Sequence, residues 1–288
     1  MGEYLSAYLD RIGLGTGLGI GVGMGVGTGP VSLDAAGLAA VHRAHVVSIP
    51  FENLDPHRGV PVSLDPDALV AKLVTRRRGG YCFEHNLLLA GALRSLGAEV
   101  DLILGRVRLG RPAGAVSPRT HLVLRVRHSG EIWLADAGFG SGTLLEPIPF
   151  APGGPYDQAG WRVRIVTDGP EWVLQSQRGD EWGDLYGFVP EPVPPVDVET
   201  SNWFTASHPR SPFVTGLIVT RHAADGSRLS LSDWSGLALT EESPGDRSVS
   251  AVQRRQIPEL LARRFGLHGF TLRPDGRVAP AEADDSSG

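Results

Sequence analysis

A single cysteine in a chain of 288 residues, Cys82, limits how this protein can be held together and what its one thiol can be for. One thiol forms no internal disulfide and does not anchor a zinc site alone, so a buried apolar core has to supply the stability. Its surroundings point to chemistry. Cys82 lies in Arg78-Gly79-Gly80-Tyr81-Cys82-Phe83-Glu84, where a paired-glycine turn runs into an apolar helical pattern. At the first turn of a helix, unpaired backbone N–H groups and the macrodipole favour a thiolate and are expected to bring its pKa below the free value of roughly 8.5. The competing use is a buried, inert cysteine acting as a small hydrophobe.

Partners for a nucleophile are sought among strand ends. His121 heads His121-Leu122-Val123-Leu124-Arg125-Val126, an apolar, β-prone run that ends in Arg127-His128-Ser129-Gly130 and reads as a strand entering a hairpin. The return strand is Glu131-Ile132-Trp133-Leu134-Ala135-Asp136, closed by Ala137-Gly138-Phe139-Gly140. In a hairpin the start of the first strand lies beside the end of the second, so a tight turn at Ser129-Gly130 brings Asp136 near His121. A carboxylate there can hold one imidazole nitrogen while the other faces the thiol, the arrangement that activates a weak nucleophile. Taken singly, Asp136 also reads as a turn cap and His121 as a satisfied core residue. His85, three residues after Cys82, shares a helix face with it. It is the weaker candidate base, because no second acid is placed to orient it.

With these residues in hand the chain resembles the arylamine N-acetyltransferases. The matching segments are Ile49-Pro50-Phe51-Glu52-Asn53-Leu54, Arg78 to Glu84, Thr120-His121-Leu122-Val123-Leu124, Asp136-Ala137-Gly138-Phe139-Gly140, and the run from Ser201 to Ser211. Two departures are visible: alanines at 135 and 137 where the family usually carries a branched aliphatic residue, and an N-terminal insertion. The resemblance implies a triad of Cys82, His121 and Asp136, acetyl-coenzyme A as donor, an acetyl-cysteine intermediate and an aromatic amine or hydrazine as acceptor. It implies that Glu52 and Arg78 pair and pin the glycine loop, and that Phe139 and Phe204 wall the amine pocket, although either phenylalanine is also an ordinary core aromatic. The backbone of Gly140 and Ser141 is expected to approach the coenzyme pyrophosphate, and the backbone N–H of Cys82 to face the oxyanion.

The implied fold is α+β: an N-terminal helical bundle, a central β-barrel and a C-terminal α/β lid, with a core like that of cysteine proteases. The expected parts are 1–97, carrying the nucleophile; 98–205, carrying His121 and Asp136; and 206–288. The pattern supports helices over 4–12, 32–47, from Asp65 through Val74, and 82–96. Strands are expected over 100–109, 121–126, 132–136, 161–167, 172–177, 215–221 and 228–233, with a helix over 256–265. Between 13 and 30 glycine occupies every odd position from 13 to 29. That strict period of two never supplies a G-x-G-x-x-G loop, and so much glycine in a helix interior costs roughly 0.8–1 kcal/mol per residue, which argues against a membrane span. It is expected to be an insertion between the first two helices, and the polar tail from 280 to 288 to be disordered.

Net charge is −5 with basic residues clustered only locally, as at Arg76-Arg77-Arg78, so nucleic acid is not an expected partner. No metal site is expected. Glu3, Asp10 and Arg11 interrupt any signal-type N-terminus, and a lone thiol suits a reducing compartment, so the expected location is cytoplasmic, without a membrane partner. An alternative enzyme with the same triad is an amide synthase that joins a polyketide acyl chain to an aromatic amine, loading Cys82 from a carrier-protein thioester. A cysteine hydrolase shares the triad order but finds no acidic calcium cluster in this sequence. A non-catalytic binding protein is the reading from a different class, and three intact triad residues argue against it.

Overall fold

The computed structural model describes residues 2–15, 33–112 and 114–281. Most of the alternating-glycine segment, from 16 to 32, and the tail beyond 281 lie outside the described residues, and with them the expectations of an insertion and of a disordered tail.

The N-terminal part contains α1 (Gly2–Arg11) and α2 (Ala35–Ser48), whose N-cap Asp34 accepts the Gly37 N–H at 2.8 Å. A two-residue strand β1 (Phe51–Glu52) and a single turn α3 (Leu54–His57) follow. Asp65 caps α4 (Pro66–Leu69), which does not run on as α-helix to Val74 but widens into a π-helical stretch over Val70–Thr75. Lys72 is buried within that stretch. The helix α5 (Cys82–Ser95) buries Leu88, Leu89, Ala92 and Leu93. It stops at Gly97, whose φ of +96° lets the Gly97 N–H reach Arg94 O and the Ala98 N–H reach Leu93 O, both at 3.0 Å. That is a Schellman end, and glycine takes the left-handed backbone without steric cost.

Eight antiparallel strands make the central sheet: β2 (Glu99–Val107), β3 (Arg119–His128), β4 (Glu131–Ala135), β5 (Ile148–Pro149), β6 (Gly153–Gln158), β7 (Trp161–Asp168), β8 (Glu171–Arg178) and β9 (Glu181–Phe188). Their order is β5-β4-β3-β2-β9-β8-β7-β6, a barrel-like curl. Alternation along the strands sorts the side chains. Ile103, Val123, Leu134, Ile165, Leu174, Tyr186 and Phe188 fill one core, while Leu102, Leu104, Leu122, Leu124 and Ala135 join the core shared with the helices. Three of these strands, β5, β6 and β9, fall outside the sequence expectation, and β5 is only two residues long. Gly153–Gln158 opens on glycines and a proline, and Glu181–Phe188 carries Gly183 and Gly187, so both read as loop by composition.

After the barrel come α6 (Pro195–Ser207) and α7 (Pro212–Thr215), then β10 (Ile218–His222), β11 (Arg228–Ser232), β12 (Ala238–Ser243), β13 (Asp246–Ala251), α8 (Ile257–Phe265) and the hairpin β14 (Phe270–Leu272) with β15 (Val278–Pro280). The expected second part, 98–205, thus already holds most of α6. The strand expected from Thr215 begins at Ile218 because Ser211 caps α7 across 212–215, accepting the Phe213 N–H at 3.3 Å. The C-terminal sheet runs β1-β10-β11-β12-β13, with Phe51 opposite Thr220 and Glu52 opposite Val219. Its edge is therefore made by the N-terminal segment, and Leu54 of α3 packs into the same core as Leu231, Leu261 and Phe265.

Candidate active site

Close approach of backbone, more than turn geometry, explains the glycines around Cys82. A Cβ at Gly79 would stand 2.0 Å from the Pro50 carbonyl oxygen, and one at Gly80 would stand 2.7 Å from Glu84 Oε2. The Gly80 carbonyl accepts the Glu52 N–H at 2.7 Å, which fastens the loop to β1. Glu84, in the first turn of α5, reaches back to accept the Tyr81 N–H at 3.1 Å and so closes the helix start. From the other side, a Cβ at Gly138 would lie 2.7 Å from Cys82 Cα. The turn that follows Asp136 is thereby packed directly against the backbone of the thiol residue.

A buried set of charges supports this loop. Arg78 and Glu52 meet as the resemblance implies, in a particular geometry: Arg78 Nε and Nη2 both donate to Glu52 Oε1, at 2.9 and 2.6 Å, while Oε2 accepts the Leu54 N–H at 2.7 Å. Lys72 Nζ bridges Asp55 Oδ2 at 2.6 Å and Glu84 Oε1 at 2.7 Å. Burial alone would raise Asp55, but Lys72 and Arg78 hold it well below the usual carboxylate range. Burial pushes Glu84 up to about 7; Lys72 opposes this, while the neighbouring Glu52 and Asp55 carboxylates add to it.

His121 and Asp136 come together as the hairpin requires. The ladder ends at Leu124 opposite Ala135, so Asp136 stands one residue beyond it and on the same face as His121. Asp136 Oδ2 accepts from His121 Nε2 at 2.7 Å, and both residues are buried. Oδ1 accepts from Asn86 Nδ2 at 3.0 Å and from the Gly138 N–H at 2.9 Å. Burial would raise the Asp136 carboxyl, but His121 and these donors hold it below its ordinary value. An ionised carboxylate only accepts, so His121 carries its proton on Nε2 and leaves Nδ1 as the basic nitrogen.

Cys82 is 3% exposed, and its thiol donates to the carbonyl of Thr120, the residue before His121, at 3.5 Å. Burial pushes this thiol well above the ordinary thiol range, and hydrogen bonds from backbone amides recover only part of the shift. A thiol acidified by its helix position, as the sequence leads one to expect, is therefore not what the structure shows. Full desolvation outweighs the first-turn effect, so the thiolate needs a cation beside it.

The remaining expected residues divide. The Phe139 ring packs 4.9 Å from the His121 ring and 5.0 Å from that of Tyr186. Phe204, on α6, stacks instead on His208 at 4.5 Å. The aromatic residue against the nucleophile loop is Phe213, 5.6 Å from Tyr81 and 6.1 Å from Phe51. Gly140 begins a short 3-10 turn with Ser141 and Gly142, and its carbonyl accepts from His222 Nε2 at 2.7 Å. His85 has no free nitrogen for a base role. Its Nε2 donates to the Pro50 carbonyl at 3.2 Å, its Nδ1 accepts from His45 at 2.9 Å, and burial lowers its pKa to about 4. Asn86, Phe213 and Tyr186 are additions that the sequence reading misses. Of these only Asn86 carries a local signal, lying one helical turn after Cys82 on the same face.

Comparison with known proteins bears on this geometry directly. A family model described as N-acetyltransferase matches residues 34–269. The arylamine N-acetyltransferase of Mycolicibacterium smegmatis is 39% identical over 271 residues, covering 93% of this chain and 93% of that protein. The Escherichia coli arylamine N-acetyltransferase is 36% identical over 85% of this chain and 88% of its own length. The structure of Mycobacterium marinum arylamine N-acetyltransferase in complex with CoA superposes with a TM-score of 0.82 at 36% identity, covering 91% of this chain and 92% of that one. The chain belongs to the arylamine N-acetyltransferase family. It is therefore an acyltransferase, and the Cys82, His121 and Asp136 segments all fall within the matched region.

Two surface cavities accompany the family fold. One of about 600 Å³ is lined by His222, Ser227, Arg228 and Glu242 among others, and His222 joins it to the Gly140 turn. The other, about 470 Å³, lies over the buried charges at Lys72 and Glu84. Among the described residues there is no His, Cys, Asp and Glu cluster suited to a metal ion and no helix long and apolar enough to cross a membrane.

Proposed function

We propose that this acyltransferase moves an acetyl group from acetyl-coenzyme A to the nitrogen of arylamines or arylhydrazines by way of a thioester on Cys82. The observation that carries the reading is the 2.7 Å contact of His121 with a fully buried, ionised Asp136, in the turn that touches the Cys82 backbone. The Cys82 proton passes to His121 Nδ1, and Asp136 stabilises the imidazolium, which is the cation that the buried thiolate needs. The thiolate attacks the thioester carbonyl, and the Cys82 N–H at the head of α5 faces the oxyanion. Coenzyme A leaves with the proton from His121. The amine then attacks the acetyl-cysteine, His121 takes its proton, and the amide departs as the thiolate reforms.

Residues 1–97 supply the thiol in this scheme, 98–205 the His–Asp pair, and 206–288 Phe213, which packs against Tyr81 beside the thiol and is a candidate wall for the acceptor. Arg228 is a candidate for the coenzyme phosphates, next to the Gly140 and Ser141 turn. It is 7% exposed, its guanidinium lies 3.9 Å above the Trp161 ring, and it is paired with no carboxylate among the described residues. A cytoplasmic setting, where the lone thiol stays reduced, suits the chemistry.

The test is intact-mass spectrometry after mixing with acetyl-coenzyme A and no amine. One acetyl mass should appear on Cys82 and be lost in His121→Ala. An adduct from a carrier-bound acyl chain but none from acetyl-coenzyme A would replace this donor with that of an amide synthase. Absence of any adduct would overturn the covalent mechanism.

A further inference from the structure

His42 lies on α2, fully buried, and takes no part in the acyl transfer just described. Its Nδ1 contacts the Leu145 carbonyl at 3.1 Å, and its Nε2 contacts the Asp136 backbone N–H, also at 3.1 Å. A carbonyl oxygen can only accept and an amide can only donate, so the two partners fix one neutral tautomer: protonated on Nδ1, with the Nε2 lone pair on Asp136. Burial, which lowers the His42 pKa to about 4, keeps the ring neutral at physiological pH.

The Asp136 amide needs that acceptor. It is the first amide beyond the β3–β4 ladder, in a position with no exposure. The next two amides are treated in the same way. Ala137 N–H goes to Asn86 Oδ1 at 2.9 Å and Gly138 N–H to the Asp136 carboxylate. The turn is therefore held from α2 by His42 and from α5 by Asn86. Arg43, adjacent in α2, pairs with Glu146 at 2.8 Å, so α2 grips both the Asp136 turn and the 145–146 segment.

We propose that His42 is a positioning residue for the acyl transfer, holding the Asp136 main chain so that its carboxylate stays on His121. This rests on the triad reading of Asp136. A shift of the main chain at the end of β4 moves the carboxylate that stabilises the imidazolium, and displacements of about 1 Å in such an array cost on the order of a hundredfold in rate.

Three variants of the full chain test it. His42→Leu keeps volume without either hydrogen bond. His42→Gln places its amide oxygen at the position of ring Nε2 and is expected to keep the bond from the Asp136 N–H while losing the one to Leu145. His42→Asn keeps the donor to Leu145 and falls short of Asp136. The rate of Cys82 acetylation by acetyl-coenzyme A should fall roughly tenfold to a hundredfold in the Leu and Asn variants, with KM for acetyl-coenzyme A within about twofold and the Gln variant within about threefold of the parent. The pH profile of Cys82 alkylation should move upward in the Leu and Asn variants, a change that looser packing alone does not produce. If the Leu variant fails to fold, the Asn and Gln pair decides. Parental rate and profile in His42→Asn would overturn the proposal, and so would a Gln variant as slow as the Asn variant. Asp136→Asn is run alongside, and full acetylation there would overturn the triad reading itself.

Discussion

Asn86 donates its side-chain amide to Asp136 Oδ1 at 3.0 Å and accepts the Ala137 N–H at 2.9 Å, so the helix that carries the thiol also orients the carboxylate. The same Nδ2 donates to the Leu122 carbonyl at 2.6 Å, one residue past His121. Replacing Asn86 with alanine strands a buried amide, a buried carbonyl and one carboxylate lone-pair site. At about 1–3 kcal/mol for a buried polar group left unpaired, the loss should be about 2–4 kcal/mol in urea unfolding. The Cys82 acetylation rate should fall by at least tenfold in protein that remains folded. Stability within about 0.5 kcal/mol of the parent, the size expected for a neutral surface change, would contradict this role for Asn86.

Gly138 yields a sharper steric prediction. The new methyl of Gly138→Ala would meet Cys82 Cα at 2.7 Å and its carbonyl oxygen at 3.0 Å, both of them backbone atoms that cannot swing aside. The turn or the helix start has to move, at about 1–3 kcal/mol, and the acetylation rate should drop roughly tenfold or more. Gly130→Ala is the control. Gly130 sits at the hairpin turn with φ +81° and open space around it, so alanine should cost about 1–2 kcal/mol in strain and leave the rate alone. Equal acetylation by the Gly138 variant and the parent would show that the contact does not position the thiol.

The hairpin was legible because it needed only local chemistry: Ser129 and Gly130 both take positive φ, the strands pair in the register that this turn sets, and His121 and Asp136 fall on one face. The stop at Gly97 was legible for the same reason, whereas the helix expected from 32 begins only at Ala35, after its cap Asp34. Features decided by distant partners were not legible. His42 reaches Asp136 across 94 positions, and no local pattern marks it. Phe204 and Phe213 lie close together in the sequence, and only the packing of α6 and α7 determines which ring turns toward Tyr81. Helix position at Cys82 can be read from sequence, whereas the burial that pushes its thiol up depends on everything folded around it.

Glu84 should leave a mark on the pH dependence of stability. Its folded pKa, raised from 4.5 to about 7, lies above that of the unfolded chain, so the folded state binds the extra proton between those values. Stability from this group is therefore greatest at low pH and declines as pH rises through about 4.5 to 7, by at most about 1.4 kcal/mol per pH unit. Asp55 and Asp136, with lowered values, act oppositely, losing stability as pH falls below about 4. Glu84→Gln keeps an acceptor for the Tyr81 N–H and removes the titration. Buried His42 and His85, lowered to about 4, raise stability with pH over part of the same range, so the test is a difference: the stability of the parent relative to the variant should decline as pH rises across about 4.5 to 7. Identical slopes would place the Glu84 pKa near its unfolded value.

Cys82 alkylation tests whether the thiol owes its reactivity to its partner or to its helix. Burial holds the isolated thiol protonated well above neutral pH, so a thiolate at neutral pH exists only with its proton on His121 and Asp136 behind it. Iodoacetamide should therefore label the parent rapidly near neutrality. His121→Ala should reduce that rate by about a hundredfold or more, restoring it only in alkali beyond the free-thiol value of roughly 8.5. Asp136→Asn should fall between, because the imidazole remains but its charged form loses the carboxylate 2.7 Å away. Rapid labelling of the His121→Ala protein at neutral pH would mean that the first turn of α5 suffices to ionise the thiol, and His121 would then have no part in forming the nucleophile.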